Sequence, residues 1–389
     1  MEGSPAPPGQ LRFARSQRSS LGIEWELQLL DAAGGDARQD ADLIMERVCA
    51  GRAEQNHPHI HRELLRNTVE LVSGVHTTVD DAVSDLQGTL AELRRATDEL
   101  GIELGGGGAH PFARPSMQQV TEDDRYTRLI DRTRWWGRQM QIFGTHVHVG
   151  IEDRAKVLPI MRALVTRFAH LQSLAAASPF WDSEHTGYAT NRAMIFQQLP
   201  TAGVPYQFDS WTDLEAYVHD MTRTGVIDSF SELRWDIRPS PALGTIEVRV
   251  CDSATNVTEL RAVVALTHCL VEHYSRMLDA GRDLPQAPRW FVAENKWRSA
   301  RYGMEAVLIK DESGEQEAVA ETLAGMVTEL EPIAADLGCL DELGLIPALL
   351  RAKAPYQRQL EVAERHGLTG VALHLAAEMR AGHPLEPEA

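Results

Sequence analysis

Five stretches of this chain alternate apolar and polar residues with a period of two, and all five carry ionisable groups on the polar side. In GIEWELQLLD (22–31), Ile23, Trp25, Leu27 and Leu29 share one face, and Glu24, Glu26 and Gln28 share the other. NTVELV (67–72) sets Val69 and Leu71 against Glu70, and GTHVHVGI (144–151) sets Val147, Val149 and Ile151 against His146 and His148. GTIEVRVCD (244–252) sets Ile246, Val248 and Val250 against Glu247 and Arg249, and RWDIRPSP (234–241) repeats the pattern with Asp236 and Arg238 opposite Trp235 and Ile237. Strands of this kind are buried on one side only, so their sheet needs helices on its apolar face. Helices interspersed without a regular βαβ rhythm make the expected class α+β with an antiparallel sheet.

The 389 residues, 43% of them apolar, can supply one sizeable core. No internal repeat and no long linker divides them, so the expected organisation is a disordered segment over 1–19, a single catalytic domain over 20–380 with a helical C-terminal portion, and a tail over 381–389. Periodicity predicts helices over Thr78–Leu100, over 163–177, over 210–221 behind a Ser210 cap, over Val257–Leu278 behind Thr255-Asn256, and over most of the chain beyond 315. The 38 Lys and Arg against 56 Asp and Glu leave a net charge of −18, which repels nucleic acid and anionic membrane. With no signal-like N-terminus and no apolar run of spanning length, the expectation is a soluble, cytoplasmic protein. Cys49, Cys251, Cys269 and Cys339 form no CxxC pair and are expected as reduced core residues.

The polar faces carry the chemistry. Four carboxylates, two histidines and two or three arginines on the open side of one sheet are mutually costly unless cations and anions bind among them. Hard oxygen ligands favour Mg²⁺, and an imidazole among them admits Mn²⁺. Arginines beside such a cluster suit a phosphate or carboxylate. No Walker motif is present, since the glycine run GGGGAHP lacks the following Lys-Ser/Thr; it reads as a turn, and HPHIH (57–61) as a surface loop.

In order along the chain, GIEWELQLLD, NTVELV, GGGAHPFA, GTHVHVGI, AAASPFWDSEHTGYATNR, WDIRPSPALGTIEVRVCD and ENKWRSARYG resemble the type 2 glutamate-cysteine ligase family, the YbdK-like carboxylate-amine ligases. The resemblance implies a glutamine-synthetase-like fold in which a curved antiparallel sheet forms an active-site funnel with helices on its outer face. It also implies a metal cluster of Glu24, Glu26, Glu70, His146 and Glu247, with Arg249 contacting phosphate or the bound acid and Glu247 and Arg249 serving catalysis. Arg192 and Arg238 follow as candidates for substrate or nucleotide, and Glu63, Arg298 and Arg301, read as helix charges, rank below them. His148 is expected as a wall residue. Two departures stand out: Trp25 where many members carry a third acid, and Ser73-Gly74 where members often carry Thr-Pro.

The implied activity is an ATP-dependent carboxylate-amine ligase that joins the γ-carboxylate of glutamate to cysteine or another amine through an acyl phosphate. ATP and Mg²⁺ or Mn²⁺ are the implied cofactors, small-molecule acids and amines the partners, and a homodimer is compatible with the reading. Two alternatives remain open here: a metal-dependent hydrolase using the HxH strand, and a non-catalytic relative.

Overall fold

The computed structural model describes residues 11–52, 56–311 and 313–387. Its strands, in chain order, are β1 (Leu21–Asp31), β2 (Ile60–Arg62), β3 (Thr68–Val72), β4 (Ile102–Gly105), β5 (Gly144–Gly150), a short hairpin β6–β7 (Phe180–Trp181 and Glu184–His185), β8 (Ile237–Ser240), β9 (Thr245–Asp252) and a second short hairpin β10–β11 (Val307–Ile309 and Gln316–Ala318). Seven of them form one sheet in the order β2-β3-β1-β5-β9-β8, with β4 pairing the far end of β1. All these pairings are antiparallel. The eleven-residue β1 is the hub because it pairs β5 over Leu21–Trp25, β3 over Glu24–Gln28 and β4 over Gln28–Asp31.

The alternation resolves as the sequence requires. Ile23, Trp25 and Leu27 of β1, Val69 and Leu71 of β3, Val147 and Val149 of β5 and Ile246 and Val248 of β9 are at most 1% exposed, in one core. Helices Val79–Asp98 and Val257–Asp279 bury Val83, Leu86, Leu90, Leu260, Val264 and Leu266 in the same core. Ser210 and Asn256 cap their helices where the sequence placed them, accepting from the N–H groups of Asp213 and Glu259, and Thr78 caps the Val79–Asp98 helix by accepting from the Asp81 N–H. Trp25 points into this packed side and donates its indole N–H to the Ala254 carbonyl at 3.2 Å. Among the described residues no helix is long and apolar enough to cross a membrane.

Three expectations need correction. The helix expected over 163–177 is two, Val157–Leu164 and Phe168–Leu174, because the chain turns at Val165–Arg167 to keep both apolar faces on the core. Residues 11–19, expected to be disordered, are fastened down: Ser19 N–H bonds the Gly150 carbonyl, Arg18 and Ser19 both bond Glu272, and Phe13 packs edge-on against Trp211. Residues 1–10 of that segment lie outside the described residues. In the tail, the Leu385 N–H bonds Glu378 and the Pro387 carbonyl accepts from Arg365, while 388–389 lie outside the described residues. HPHIH is not a surface loop, since His57 is buried against Arg52 and Glu92 and Ile60–Arg62 is the edge strand β2.

Candidate active site

Strand register sets the site row by row. Glu26 on β1 lies directly opposite Glu70 on β3, and Glu70 opposite His61 on β2. Glu24 lies opposite His146 on β5, and His148 opposite Glu247 on β9, which faces Arg238 on β8. Between Thr145 and Val147 the β5–β9 register slips, so Arg249 and Val250 together oppose His146. Such a bulge twists the strand locally.

Above the row lies a cleft of about 560 Å³. Its floor holds Glu24, Glu26, Glu70 and His146, with Glu63 at one side and Arg192, Arg238 and Arg249 at the other. Arg125, Tyr126 and Arg234 form part of the rim, and Leu64, Leu129, Met140, Ile142, Phe196 and Leu199 make an apolar wall. All six belong to one small hydrophobic cluster separate from the main core.

The acidic and imidazole groups fall into three overlapping triads whose ligand atoms lie within 4.8 Å of one another: Glu24–His148–Glu247, Glu24–Glu70–His146 and Glu26–Glu63–Glu70. Within them, His146 Nδ1 is 2.8 Å and His148 Nε2 3.2 Å from the Glu24 carboxylate. Burial works against the Glu24 charge, yet hydrogen bonds from both imidazoles hold its carboxyl well below the usual range. Burial and the Arg249 charge push His146 down to about 4, so the ring is neutral at pH 7. His148 is raised: burial opposes its charge, but Glu247 and Glu24 outweigh it.

The Glu26–Glu63–Glu70 triad behaves oppositely. Burial, and then the charge of Glu63, pushes Glu26 up to about 8, and the same causes hold Glu70 well above the carboxylate range. Glu63 is raised as well, first by burial. Three carboxylates in mutual repulsion are the donor set a hard divalent cation neutralises, so the residues present fit Mg²⁺ or Mn²⁺. An anion is matched too: the Nε groups of Arg192 and Arg249 are buried with no hydrogen-bond partner.

Glu247 differs from the other acids. It is 0% exposed, receives Arg238 through Nε at 2.6 Å and Nη2 at 3.3 Å, and also bonds Arg249. Burial opposes its charge, but the two guanidinium groups hold its pKa far below the carboxylate range. The five expected ligands share one face and are spread over the three overlapping triads, with Glu247 at the end engaged by guanidinium groups. Arg298 and Arg301 lie elsewhere, bonding Glu294 and the Gly187 carbonyl from helix Arg289–Tyr302. Ser73 ties β1 down by accepting from the Ile23 N–H and does not line the cleft.

Glu63, ranked below the other candidates as a helix charge, directly follows β2 and lines the cleft. The alternation IHRE carried the signal, since His61 and Glu63 share a side and His61 pairs with Glu70. His148, read as a wall residue, belongs to a triad. Arg125, Tyr126 and Arg234 also line the cleft; Arg234 shares the parity of Asp236 and Arg238 in RWDIRPSP, whereas no strand periodicity reaches Arg125 and Tyr126.

Comparison with known proteins follows this geometry. The profile of glutamate-cysteine ligase family 2 (GCS2) matches residues 20–375. A protein of Paenarthrobacter aurescens (strain TC1) named "Putative glutamate--cysteine ligase 2-2" is 52% identical over 379 residues, covering 96% of this chain and 99% of its own. A "Putative glutamate--cysteine ligase 2" of Mycobacterium tuberculosis (strain ATCC 25618 / H37Rv) is 49% identical over 372 residues, covering 95% and 97%. Among solved structures, the glutamate--cysteine ligase of Francisella tularensis in complex with AMP superposes with a TM-score of 0.65 at 15% identity, covering 97% of this chain and 91% of that one. A bifunctional glutathione synthetase from Pasteurella multocida gives 0.63 at 16% identity, over 94% of this chain and 52% of that one. Both likenesses show a shared fold.

Proposed function

We propose, from the premise that this chain belongs to glutamate-cysteine ligase family 2, that the cleft is the active site of an ATP-dependent carboxylate-amine ligase. The observation that carries the reading is the juxtaposition, in one cleft, of repelling buried carboxylates and buried guanidinium groups whose Nε donors have no partner. Cation and anion sites side by side are what phosphoryl transfer from a nucleotide requires. Glu24, Glu26, Glu63, Glu70 and His146, with Glu247 behind them, would hold Mg²⁺ or Mn²⁺, which when bound supplies charge neutralisation for that transfer.

The chain's own groups account for the rest. Arg249 and Arg192 would orient the phosphoryl group and the carboxylate that receives it, and neutralise charge on the departing phosphate. Glu247 keeps Arg238 and Arg249 in place by accepting from both. The wall of Leu64, Leu129, Met140, Ile142, Phe196 and Leu199 would exclude water from the acyl phosphate, so that an amine reaches the activated carbonyl first. The acid is proposed to be glutamate, through its γ-carboxylate, and the amine cysteine or a related amino acid. A hydrolase built on HVH is disfavoured because His146 and His148 do not fall in one triad, and His148 engages Thr245 and Glu24 through its two nitrogens.

Isotope transfer tests the chemistry. If the substrate carboxylate attacks the γ-phosphorus, one of its oxygens leaves with phosphate when the amine adds. Glutamate labelled with ¹⁸O in the γ-carboxylate should deliver label to inorganic phosphate only when ATP, divalent cation and amine are all present. Unlabelled phosphate formed alongside amide product would exclude the mechanism. Label transfer with an amine other than cysteine would keep the mechanism and change only the acceptor.

A further inference from the structure

The C-terminal residue of β9, Asp252, is 1% exposed and lies outside the cleft, yet its bonds converge on the segment that delivers Arg192 into it. Its Oδ2 accepts from the Ala177 N–H at 2.8 Å and from the Ser178 hydroxyl at 2.7 Å, and its Oδ1 accepts from the Thr190 hydroxyl at 2.7 Å. Each hydroxyl passes the interaction on. Ser178 Oγ accepts from the Arg192 N–H at 3.3 Å, and Thr190 Oγ1 accepts from the Ala193 N–H at 3.3 Å. Two first-turn N–H groups of helix Asn191–Phe196 are thus relayed to one carboxylate on the sheet.

The other end of Arg192 returns to the same place. Asp252 is paired across strands with Gly144, and a Cβ at Gly144 would stand 2.3 Å from Arg192 Nη2, so the guanidinium passes directly over that glycine. It arrives 3.5 Å from His146 Nε2, while the Gly144 N–H holds Glu26 at 2.5 Å. The glycine run contributes here as well. A Cβ at Gly108 would lie 2.3 Å from the Asp252 carboxylate carbon, so only glycine leaves room for that side chain.

We propose that Asp252 is a positioning residue, which through Ser178 and Thr190 fixes the helix start so that the Arg192 guanidinium sits over Gly144, aimed at the anion bound beside His146. This rests on the ligase reading of the cleft for what the anion is, a phosphoryl group, and on the geometry alone for how Arg192 is held. A buried carboxylate that satisfies three donors would stabilise the loop in any case, so the test must detect coupling to Arg192 and not mere loss of structure.

The test is a double-mutant cycle on the full chain with Asp252→Asn, Arg192→Lys and both together. It is read as the Kd of Mg²⁺-tripolyphosphate by titration calorimetry and as kcat/KM for ATP-dependent phosphate release with glutamate and an amine panel. Arg192→Lys should weaken tripolyphosphate binding about 30-fold and Asp252→Asn about 10-fold, with the double variant within about twofold of Arg192→Lys alone. Losses that multiply to about 300-fold would mean independent action and overturn the proposal. If Asp252→Asn does not fold, Thr190→Val, which removes one of the three donors, carries the same cycle. A folded wild type that binds no tripolyphosphate also overturns it. Non-additive binding in a protein that releases no phosphate with any amine would sink the ligase reading and leave the positioning role standing.

Discussion

At the scale of single residues, the acids of this site divide by what neutralises them. Glu24 is served by imidazoles and Glu247 by guanidinium groups, whereas Glu26, Glu63 and Glu70 have mainly one another. Removing one member of the unserved triad should therefore stabilise the protein without metal and harm it with metal. Glu63→Gln is expected to gain on the order of 1–3 kcal/mol in chelator, from relieved repulsion at an effective dielectric of about 20, and to lose most of the Mg²⁺-dependent rise in melting temperature. Thermal melts with EDTA and with Mg²⁺ check both signs, and an unchanged Mg²⁺ response would remove Glu63 from the metal site. Glu247→Gln should behave differently, because it strips the partner from two buried arginines. The expected cost is roughly 3–5 kcal/mol of stability along with near-complete loss of turnover. A Glu247→Gln protein that melts like the wild type would show that the arginines are neutralised elsewhere.

At the scale of elements, β1 explains why one strand does so much. Its length lets it pair three neighbours, and its alternation lets it bury Ile23, Trp25 and Leu27 while holding Glu24 and Glu26 up to the cleft. The segment before it matters for the same sheet. Residues 11–19 cross to the Val257–Asp279 helix, where Arg18 and Ser19 satisfy Glu272, and to the turn at Pro241, whose carbonyl accepts from the Ala14 N–H. Burial opposes the Glu272 charge, and bonds from Arg18, Arg276 and Ser19 overcome it, so its pKa is lowered. Truncation to a chain starting at Ser20 should cost about 2–4 kcal/mol, from lost packing of Leu11 and Phe13 and lost bonds to Glu272. Calorimetry of the truncated protein reads this directly, and an unshifted melting temperature would return the segment to a passive role. Sequence composition pointed the other way here because Pro, Gly, Ser and Arg are common in disordered chains, and partners such as Glu272, 254 residues from Arg18, leave no local trace.

At the scale of the whole molecule, two buried histidines outside the site set a pH limit on stability. Burial pushes His110 down to about 4, and its ring is committed as neutral: Nε2–H donates to the Gly35 carbonyl while Nδ1 accepts from the Phe112 and Ala113 N–H groups. Burial and the Arg167 charge push His170 down to about 3. Both folded-state values lie below the unfolded one near 6.5, so the unfolded chain binds protons first. The stability contributed by these two rings is fully present above pH 6.5 and falls as the pH drops toward 4, by about 3 kcal/mol from His110 alone. Because the raised Glu26 and Glu70 titrate in the opposite sense, the loss is read as a difference between proteins. In denaturant melts at pH 7.5 and pH 5 the wild type should lose about 2 kcal/mol more than His110→Gln, and an identical pH dependence of the two proteins would contradict the assignment. By itself the sequence determined which side chains face the core and which face the cleft, because strand alternation is a local property of the backbone that Ile23, Glu24, Trp25 and Glu26 obey wherever the strand lies. Only the tertiary structure decided which acids meet which partners. Glu63 joined Glu26 and Glu70, Glu247 was taken by Arg238 and Arg249, and Asp252 met Ser178 and Thr190, because strand order, a one-residue slip in register and the room left by two glycines arise from contacts between segments far apart in the chain.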